Sequence, residues 1–489
     1  MGLRSTEARG MSEREAFELT PKEENFSRWF DEVLFKAEIL DERYPVKGMY
    51  VWLPFGYELM ENVMNVMERL MRETGHRRVY FPGIVPEGVL SREFRFIKGF
   101  EDSIFWITRL GKQDIKEKLA LRPTSEAIMY EVLNRWITSY KDLPLRIYQV
   151  VPVYRYETKA TRPMLRVREI VFFKEGHTFH ATYEDAVKQV ELEVWIYKRF
   201  YDELLVPYVV VKTTPWDTFP GAKYNYDLIT IMPDGKALEL GSAINFGDLF
   251  ARTYGLEYMD EKGERRNVNT TSFGISERSL AALIAIHGDN RGLKLPPKLA
   301  PVQVVVVPIP TKGYEEEVAS YAREVFEILS RKFRAELDDG DERPGYKFYK
   351  WEMKGVPVRV EVGRKEYEGR SLTLFRRDTL ERISVPMEGI IETIEELFRE
   401  IEREMISQAR RYFEERTVHA KTLEEIERNV GDKMVSFAWC GLEECGHEVE
   451  EEVGYGILGY EENALEGSGE RCVVCGGEAK HRAWIGRSY

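Results

Sequence analysis

The chain has 489 residues, 43% of them hydrophobic and 32% charged, with a formal net charge of −13. An acidic total excludes a protein that coats nucleic acid over its whole surface, and the absence of any apolar run of about 18 residues excludes a transmembrane helix. The length suggests about two to four domains.

The first dozen residues are polar and lack the apolar stretch of a secretory signal; Met11 is an alternative start that would leave a short leader ahead of it. From about residue 26 to 297 the chain mixes amphipathic helices with β-branched and aromatic strands. Residues 58–72 place Leu59, Val63, Val66 and Leu70 at helical spacing, and a short strand is predicted over 79–81, after the Gly75 stop. The segment IYQVVPVYRYE ends in Arg155-x-Glu157 and is followed by a loop carrying Arg162, Arg166 and Arg168, then by REIVFFKEGHTFH. Two strands joined by an arginine-rich loop can clamp a triphosphate, because guanidinium forks match phosphate oxygens and keep their charge. An exposed hairpin with ordinary salt bridges satisfies the same pattern.

Around residues 293–301 the sequence LKLPPKLAP is too proline-rich for a helix or a central strand and reads as a linker. QVVVVPIP follows, a continuous apolar run suited to a strand buried on both faces. A helix over 314–333 and strands over 356–362 and 371–376 complete an alternating α/β pattern. A charged helix over 391–416 leads into the region that holds all four cysteines. The expected division is 20–297, 298–388 and 389–489.

Charge is unevenly spread. Residues 343–377 contain ten Lys/Arg against four Glu, whereas 440–470 contain ten Glu and no base. A basic patch on an acidic body suits a protein that meets RNA at one limited face, and a solvated charged face explains it equally well. Cys440-x4-Cys445 and Cys472-x2-Cys475 have the spacing of a closed four-thiolate structural zinc site in a reducing compartment. Free buried thiols, His447 in place of one sulfur, and iron in place of zinc are the other readings.

In chain order, the 58–72 helix with its strand, Arg155-x-Glu157, and Phe273-Gly-Ile-Ser-Glu-Arg278 resemble motifs 1, 2 and 3 of class II aminoacyl-tRNA synthetases. The class I signatures and a Walker A loop are absent from the sequence. Within the class, LRPTSE at 121–126, KEGHT at 174–178, HGDNRGLKLPP at 287–297 and PGYKFYKWEMKGVPVRVEVG at 344–363 resemble the prolyl-tRNA synthetases of the archaeal and eukaryotic type. The similarity covers nearly all of 26–489.

The resemblance implies an α+β chain with three parts. These are a class II antiparallel sheet with flanking helices, an α/β anticodon-binding domain, and a C-terminal zinc-binding α+β domain. It implies activation of L-proline by ATP with Mg²⁺, transfer to the 3′ end of tRNA(Pro), a homodimer through motif 1, and a cytoplasmic enzyme. It places Thr124, Glu126, Arg155, Phe173, Glu175, His177 and Ser242 at the proline. Thr124 and Glu126 also read locally as a helix cap and a dipole partner, and His177 as a satisfied core histidine. The resemblance puts Arg155, Glu157, Arg166, Glu239, Ser242, Ser276 and Arg278 at ATP and Mg²⁺, with Arg155 and Arg278 catalytic. Ala243, Ile244 and Asn245 stand where the eukaryotic pattern has histidines. Phe348, Glu352 and Arg359 match anticodon-reading positions, and Cys440, Cys445, Cys472 and Cys475 the structural zinc set. In similar proteins a C-terminal tyrosine, here Tyr489, folds back near the active site.

About 95 residues separate Glu175 from motif 3, too few for an inserted editing domain of about 150 residues beside the sheet. One methylene is worth only about 1–3 kcal/mol, so alanine or cysteine is expected to be activated by mistake. The competing classes are a threonyl or seryl enzyme and a tRNA-binding paralogue without catalysis. The synthetase part has no cysteine for a threonyl-type zinc, the chain has no N-terminal coiled coil, and both ATP arginines are present.

Overall fold

The computed structural model describes residues 15–92 and 100–489; Met11 lies outside the described residues. Helix α1 spans Phe26–Lys36 and helix α2 Pro54–Glu73. Helix α2 begins four residues before the predicted 58 because Pro54 occupies its first turn, where a missing N–H costs nothing. It ends before Gly75, which turns with φ +79°. Leu59, Val63, Val66 and Leu70 are all buried, each worth ~1.5–3 kcal/mol of apolar transfer.

The central sheet has eleven strands among the described residues. The first seven in chain order are β1 (Arg77–Arg78), β2 (Leu145–Tyr154), β3 (Glu169–His180), β4 (Val209–Lys212), β5 (Tyr224–Ile231), β6 (Ala237–Gly247) and β7 (Asn269–Ile275). The expected strand over 79–81 is replaced by β1, two residues earlier, where pairing parallel to β2 decides the position. Strands β4, β5, β6, β7, β3 and β2 run antiparallel in that spatial order. Helix α3 (Glu126–Leu133) precedes β2, helix α4 (Tyr183–Leu204) covers one face of the sheet, and helix α5 (Arg278–His287) follows β7.

Second in the chain is a five-stranded mixed sheet with spatial order β9-β8-β10-β11-β12. Its strands are β8 (Val304–Pro308), β9 (Ala335–Leu337), β10 (Val358–Val362), β11 (Ser371–Arg376) and β12 (Arg382–Pro386). All of β8 is buried, as its unbroken apolar run requires. Val304 and Val306 pack toward helix α6 (Glu315–Leu329), while Val305 and Val307 pack toward Trp351 of helix α7 (Pro344–Met353). Helix α8 (Ile390–Arg416) buries Ile390, Ile394, Leu397 and Ile401 in this same core, and its later Ala409 in the catalytic core.

The C-terminal part does not form a sheet of its own. Strands β13 (Thr417–Ala420), β14 (Met434–Trp439), β15 (Ile457–Glu461) and β16 (His481–Ile485) extend the central sheet, joined to β4 through Tyr460 opposite Lys212. Helix α9 (Glu443–Val453) lies against them. No described helix is long and apolar enough to cross a membrane.

Candidate active site

Strand periodicity builds the site. Phe173, Glu175 and His177 share a face of β3, and the register sets Glu175 opposite Gln149 of β2 and Gly274 of β7. A cavity of about 570 Å³ opens over this face, lined in part by Thr124, Glu126, Arg155, Phe173, Glu175 and Ser242. A second cavity of about 180 Å³ adjoins it, lined by Arg155, Glu157, Arg166, Glu239, Ser276 and Arg278, among others. Arg155, Phe173, Glu239 and Gly274 line both, so Arg155 stands where the two chambers meet.

The first chamber is anionic at one end. Helix α3 starts with Glu126, and Ser125 rather than Thr124 is the residue before its first turn. The Thr124 hydroxyl hydrogen-bonds the Glu126 carboxylate, and Ser272 reaches that carboxylate at 3.4 Å. Glu175 accepts from Ser125 at 2.5 Å and from Gln149 at 2.8 Å. Burial alone would raise its pKa, but His177, 3.4 Å away, together with these hydrogen bonds holds it below the ordinary value. His177 is moved the other way: burial works against its charge, and the Glu175 hydrogen bond more than offsets this and raises its pKa. His177 lies outside the lining of the cavity, behind Glu175. His180 turns elsewhere, to the Thr178 hydroxyl at 2.7 Å, and makes no pair with His177.

Three guanidinium groups, Arg155, Arg166 and Arg278, line the second chamber, alongside the carboxyls of Glu157, Glu239 and Glu277. Arg278 begins α5 and its Nε donates to the Leu165 carbonyl at 3.1 Å, in the arginine loop. Arg166 lies 3.9 Å from Glu157 across the chamber. Arg155 donates through Nε to the Pro123 carbonyl at 3.0 Å. Burial draws its pKa down against the nearby Glu126 and Glu175, which is of no consequence for a guanidinium at neutral pH.

Sequence reasoning missed one wall. Asp227 on β5 accepts from Ser242 at 2.5 Å and from Asn225 at 3.0 Å, and burial plus the Glu239 charge pushes it up to about 7. Asp217 and Phe219, in the loop after β4, close the same side. Alternation in YNYDLITI puts Asn225 and Asp227 on one face, which was the only available signal.

Away from the chambers, Arg359 is 1% exposed, its guanidinium 4.1 Å from the Phe348 ring centroid and 4.1 Å from that of Phe375. Glu352 is also buried and accepts from Arg359 at 3.1 Å. The four cysteine sulfurs lie within 4.8 Å of one another, and Cys440 and Cys475 are 3.8 Å apart. Four sulfurs at ~2.3 Å around a tetrahedral zinc stand about 3.8 Å apart, so the set fits that ion. His447 is not in the group; it pairs with Glu443 and Glu450. Among the described residues Glu126, Glu175 and His177 form the other cluster of possible ligand atoms, but His177 is paired with Glu175 and Glu126 is hydrogen-bonded by Thr124 and Ser272. Tyr489 donates to Asp234 at 2.9–3.0 Å and its ring lies 6.0 Å from Arg162 of the arginine loop.

A six-stranded antiparallel sheet with two chambers joined at an arginine is the architecture of a class II aminoacyl-tRNA synthetase. The family model described as the class II synthetase core domain (G, H, P, S and T) matches residues 105–287. An anticodon-binding domain model matches 303–397, and one for the C-terminal part of prolyl-tRNA synthetase matches 423–489. The chain belongs to the prolyl-tRNA synthetase family. It is 47% identical to a proline–tRNA ligase of Methanopyrus kandleri, over 95% of this chain and 96% of that protein. It is 46% identical to one of Pyrococcus abyssi, over 95% and 98%. The prolyl-tRNA synthetase of Cryptosporidium parvum, solved with halofuginone and AMPPNP, superposes with a TM-score of 0.92 at 32% identity, covering 98% of this chain and 99% of that one. That of Giardia lamblia, in complex with prolyl-adenylate, gives 0.92 and 32% over 97% and 100%.

Proposed function

We infer that this chain activates L-proline with ATP and transfers the prolyl group to tRNA. The observation that carries the reading is Arg155, shared between a chamber with the Glu126 and Glu175 carboxylates at one end and a chamber faced by the Arg166 and Arg278 guanidiniums. A secondary ammonium has two N–H donors. Glu126 supplies a carboxylate acceptor for them and Thr124 a neutral one, while Glu175, held ionised with His177 behind it, adds negative potential. Phe173 offers an aromatic face to the pyrrolidine ring and Ser242 closes the far side.

A proline carboxylate oxygen attacks the α-phosphorus in line, the bond to the β-phosphate oxygen breaks, and pyrophosphate leaves. Arg155 stabilises charge growing on the α-phosphate, Arg278 holds the γ-phosphate, Arg166 the bent tail, and Glu157 the adenine side. Ser276 borders the same chamber. Glu239, one of the carboxyls lining this chamber, would hold Mg²⁺, which would neutralise phosphate charge when bound with ATP. The 3′-hydroxyl of the terminal nucleotide then attacks the prolyl carbonyl, and AMP departs. Positioning and electrostatics supply the acceleration, with no covalent enzyme intermediate.

In the second unit, Phe348 and Glu352 meet the anticodon bases by stacking and edge hydrogen bonds, and Arg359 holds the Glu352 carboxylate in place. The four thiolates hold a structural zinc. Strand β1 is an exposed sheet edge beside Tyr80, which is 72% exposed, and this edge with α2 is the proposed homodimer face. Unpaired thiols suit a cytoplasmic enzyme. A side chain smaller by a methylene or two is rejected only weakly by loss of contact, so alanine and cysteine are activated at a low rate. The test is amino-acid-dependent pyrophosphate exchange across all twenty amino acids with ATP and Mg²⁺. Exchange dominated by proline is expected; none, or a preference for another amino acid, would refute the assignment.

A further inference from the structure

Between the motif 3 helix and the anticodon-binding unit lies a joint of charged side chains. Asp289 follows the last residue of α5 after a single glycine. Its carboxylate accepts two hydrogen bonds from Arg377, at 2.6 and 3.0 Å, and one from the Arg291 backbone N–H at 2.8 Å. Arg377 is fully buried and sends its Nε to the Glu352 carbonyl at 2.9 Å. The Glu352 carboxylate is divided between the two units: one oxygen takes Arg359 at 3.1 Å from its own sheet, the other takes Arg291 at 3.2 Å from the catalytic side.

Backbone packing leaves this joint no slack. Leu293 N–H donates to the Met353 carbonyl at 2.9 Å. A Cβ on Gly292, at φ +126°, would come within 2.5 Å of the Met353 backbone, and one on Gly355, at φ +69°, within 2.6 Å of the Leu293 backbone. Only glycine fits either place. At the other end, α5 is ten residues long, about 15 Å, and begins with Arg278 bonded to the arginine loop.

One partner in this joint can be exchanged. The Arg291 side chain is 54% exposed, so another donor can take its place on Glu352 without opening a cavity. The Arg291 backbone is fixed to Asp289, and Asp289 closes the turn with Gly292 through a hydrogen bond in each direction, at 2.9 and 3.1 Å. We propose that Arg291 occupies Glu352 in the RNA-free chain and yields to a donor on an anticodon base edge, and that the Asp289–Arg377 pair carries this exchange to α5 and hence to Arg278. The inference rests on the reading of Glu352 as an anticodon contact. Asp289, Arg291 and Arg377 touch no substrate and are positioning residues.

The test uses the full chain with Arg291→Met and Asp289→Asn, both conservative in volume, and Arg291→Lys as a rescue. Proline-dependent pyrophosphate exchange without tRNA reports an intact core and is expected to be unchanged. Aminoacylation is then measured with the cognate transcript and with one whose anticodon bases are substituted. In the wild type the substitution lowers kcat; in R291M and D289N the kcat ratio between transcripts shrinks by about 10-fold, within the usual range of site-to-site coupling, and Arg291→Lys restores part of it. A kcat ratio equal to that of the wild type, with or without a lower Tm, overturns the proposal and leaves a structural ion pair. A wild type that does not distinguish the two transcripts overturns the anticodon reading of Glu352 and the proposal with it.

Discussion

The Arg155 guanidinium lies over the ring of Phe173, 5.5 Å from its centroid, and both side chains border the amino-acid chamber and the triphosphate chamber. An aromatic face under a desolvated guanidinium fixes its plane, and the Pro123 carbonyl fixes its Nε. The remaining N–H groups are free to follow charge onto the phosphate. Replacing Arg155 by alanine is expected to lower proline-dependent pyrophosphate exchange by about 100-fold or more, the usual cost of one lost transition-state donor. Lysine keeps the charge without the fork and falls between the two. Near-normal exchange in R155A would remove this residue from the mechanism.

Glu126 and Thr124 are argued to act on the imino group alone. In E126Q the proline KM is expected to rise by roughly 10- to 100-fold, the equivalent of one hydrogen bond to a charged group at about 1.5–3 kcal/mol. The ATP KM stays near the wild-type value, since Glu126 borders only the first chamber. Steady-state exchange with each substrate varied in turn separates the two. A parallel rise in the ATP KM would mean that the chambers are not divided at Arg155.

Much of this architecture was legible because local pattern and tertiary role agree. Leu59, Val63, Val66 and Leu70 face the core as their spacing requires, and Ser371–Arg376 is a strand at the expected residues. The failures share a cause. Strand β12 carries alternating exposed and half-buried residues and is a strand because β11 pairs with it, not because its own side chains demand it. The C-terminal strands have ordinary strand patterns, but nothing in them announces that Tyr460 will pair with Lys212 and prolong the catalytic sheet. In the site, Glu126, Glu175 and Arg278 were found through motifs, whereas Asp227 reaches the chamber from β5, which carries no motif, and Asp217 only once the loop after β4 folds over it. The burial of Arg359 between Phe348 and Phe375 is likewise a product of three separate elements.

Acid should weaken the chain partly through His287. This residue ends α5, lies buried, and has a ring nitrogen 2.8 Å from the Leu205 carbonyl. Burial, only partly opposed by that hydrogen bond, takes its pKa down to about 4 from 6.5. Between those values the unfolded chain binds a proton that the folded chain does not. The stabilising contribution is therefore complete above about pH 6.5 and is lost as pH falls toward 4, by on the order of 3 kcal/mol. Thermal melts of wild type and H287Q across pH 7.5 to about 4 should show a shallower acid slope in the variant. Parallel slopes would assign the acid loss to other groups.

Metal at the four cysteines should be felt in the amino-acid chamber as well as in the C-terminal strands. Gly446, next to Cys445 on α9, lies so close to Trp216 that a Cβ there would come within 2.4 Å of its ring. The Trp216 ring also lies tilted against His447, centroids 4.5 Å apart, and its indole N–H donates to Glu450 at 3.3 Å. The loop that carries Trp216 brings Asp217 and Phe219 to the chamber wall. Loss of an ion held there would free α9 from Cys440, Cys472 and Cys475, and Trp216 would lose the surface that fixes its loop. Elemental analysis should find one zinc per chain in the wild type and none in C472S, because a three-thiolate remnant is no longer a closed site. The expected phenotype of C472S, or of the chelator-treated enzyme, is a lower Tm and a higher proline KM with the ATP KM little changed. Full zinc occupancy in C472S would refute the ligand set, and an unchanged proline KM after metal loss would break the link through Trp216.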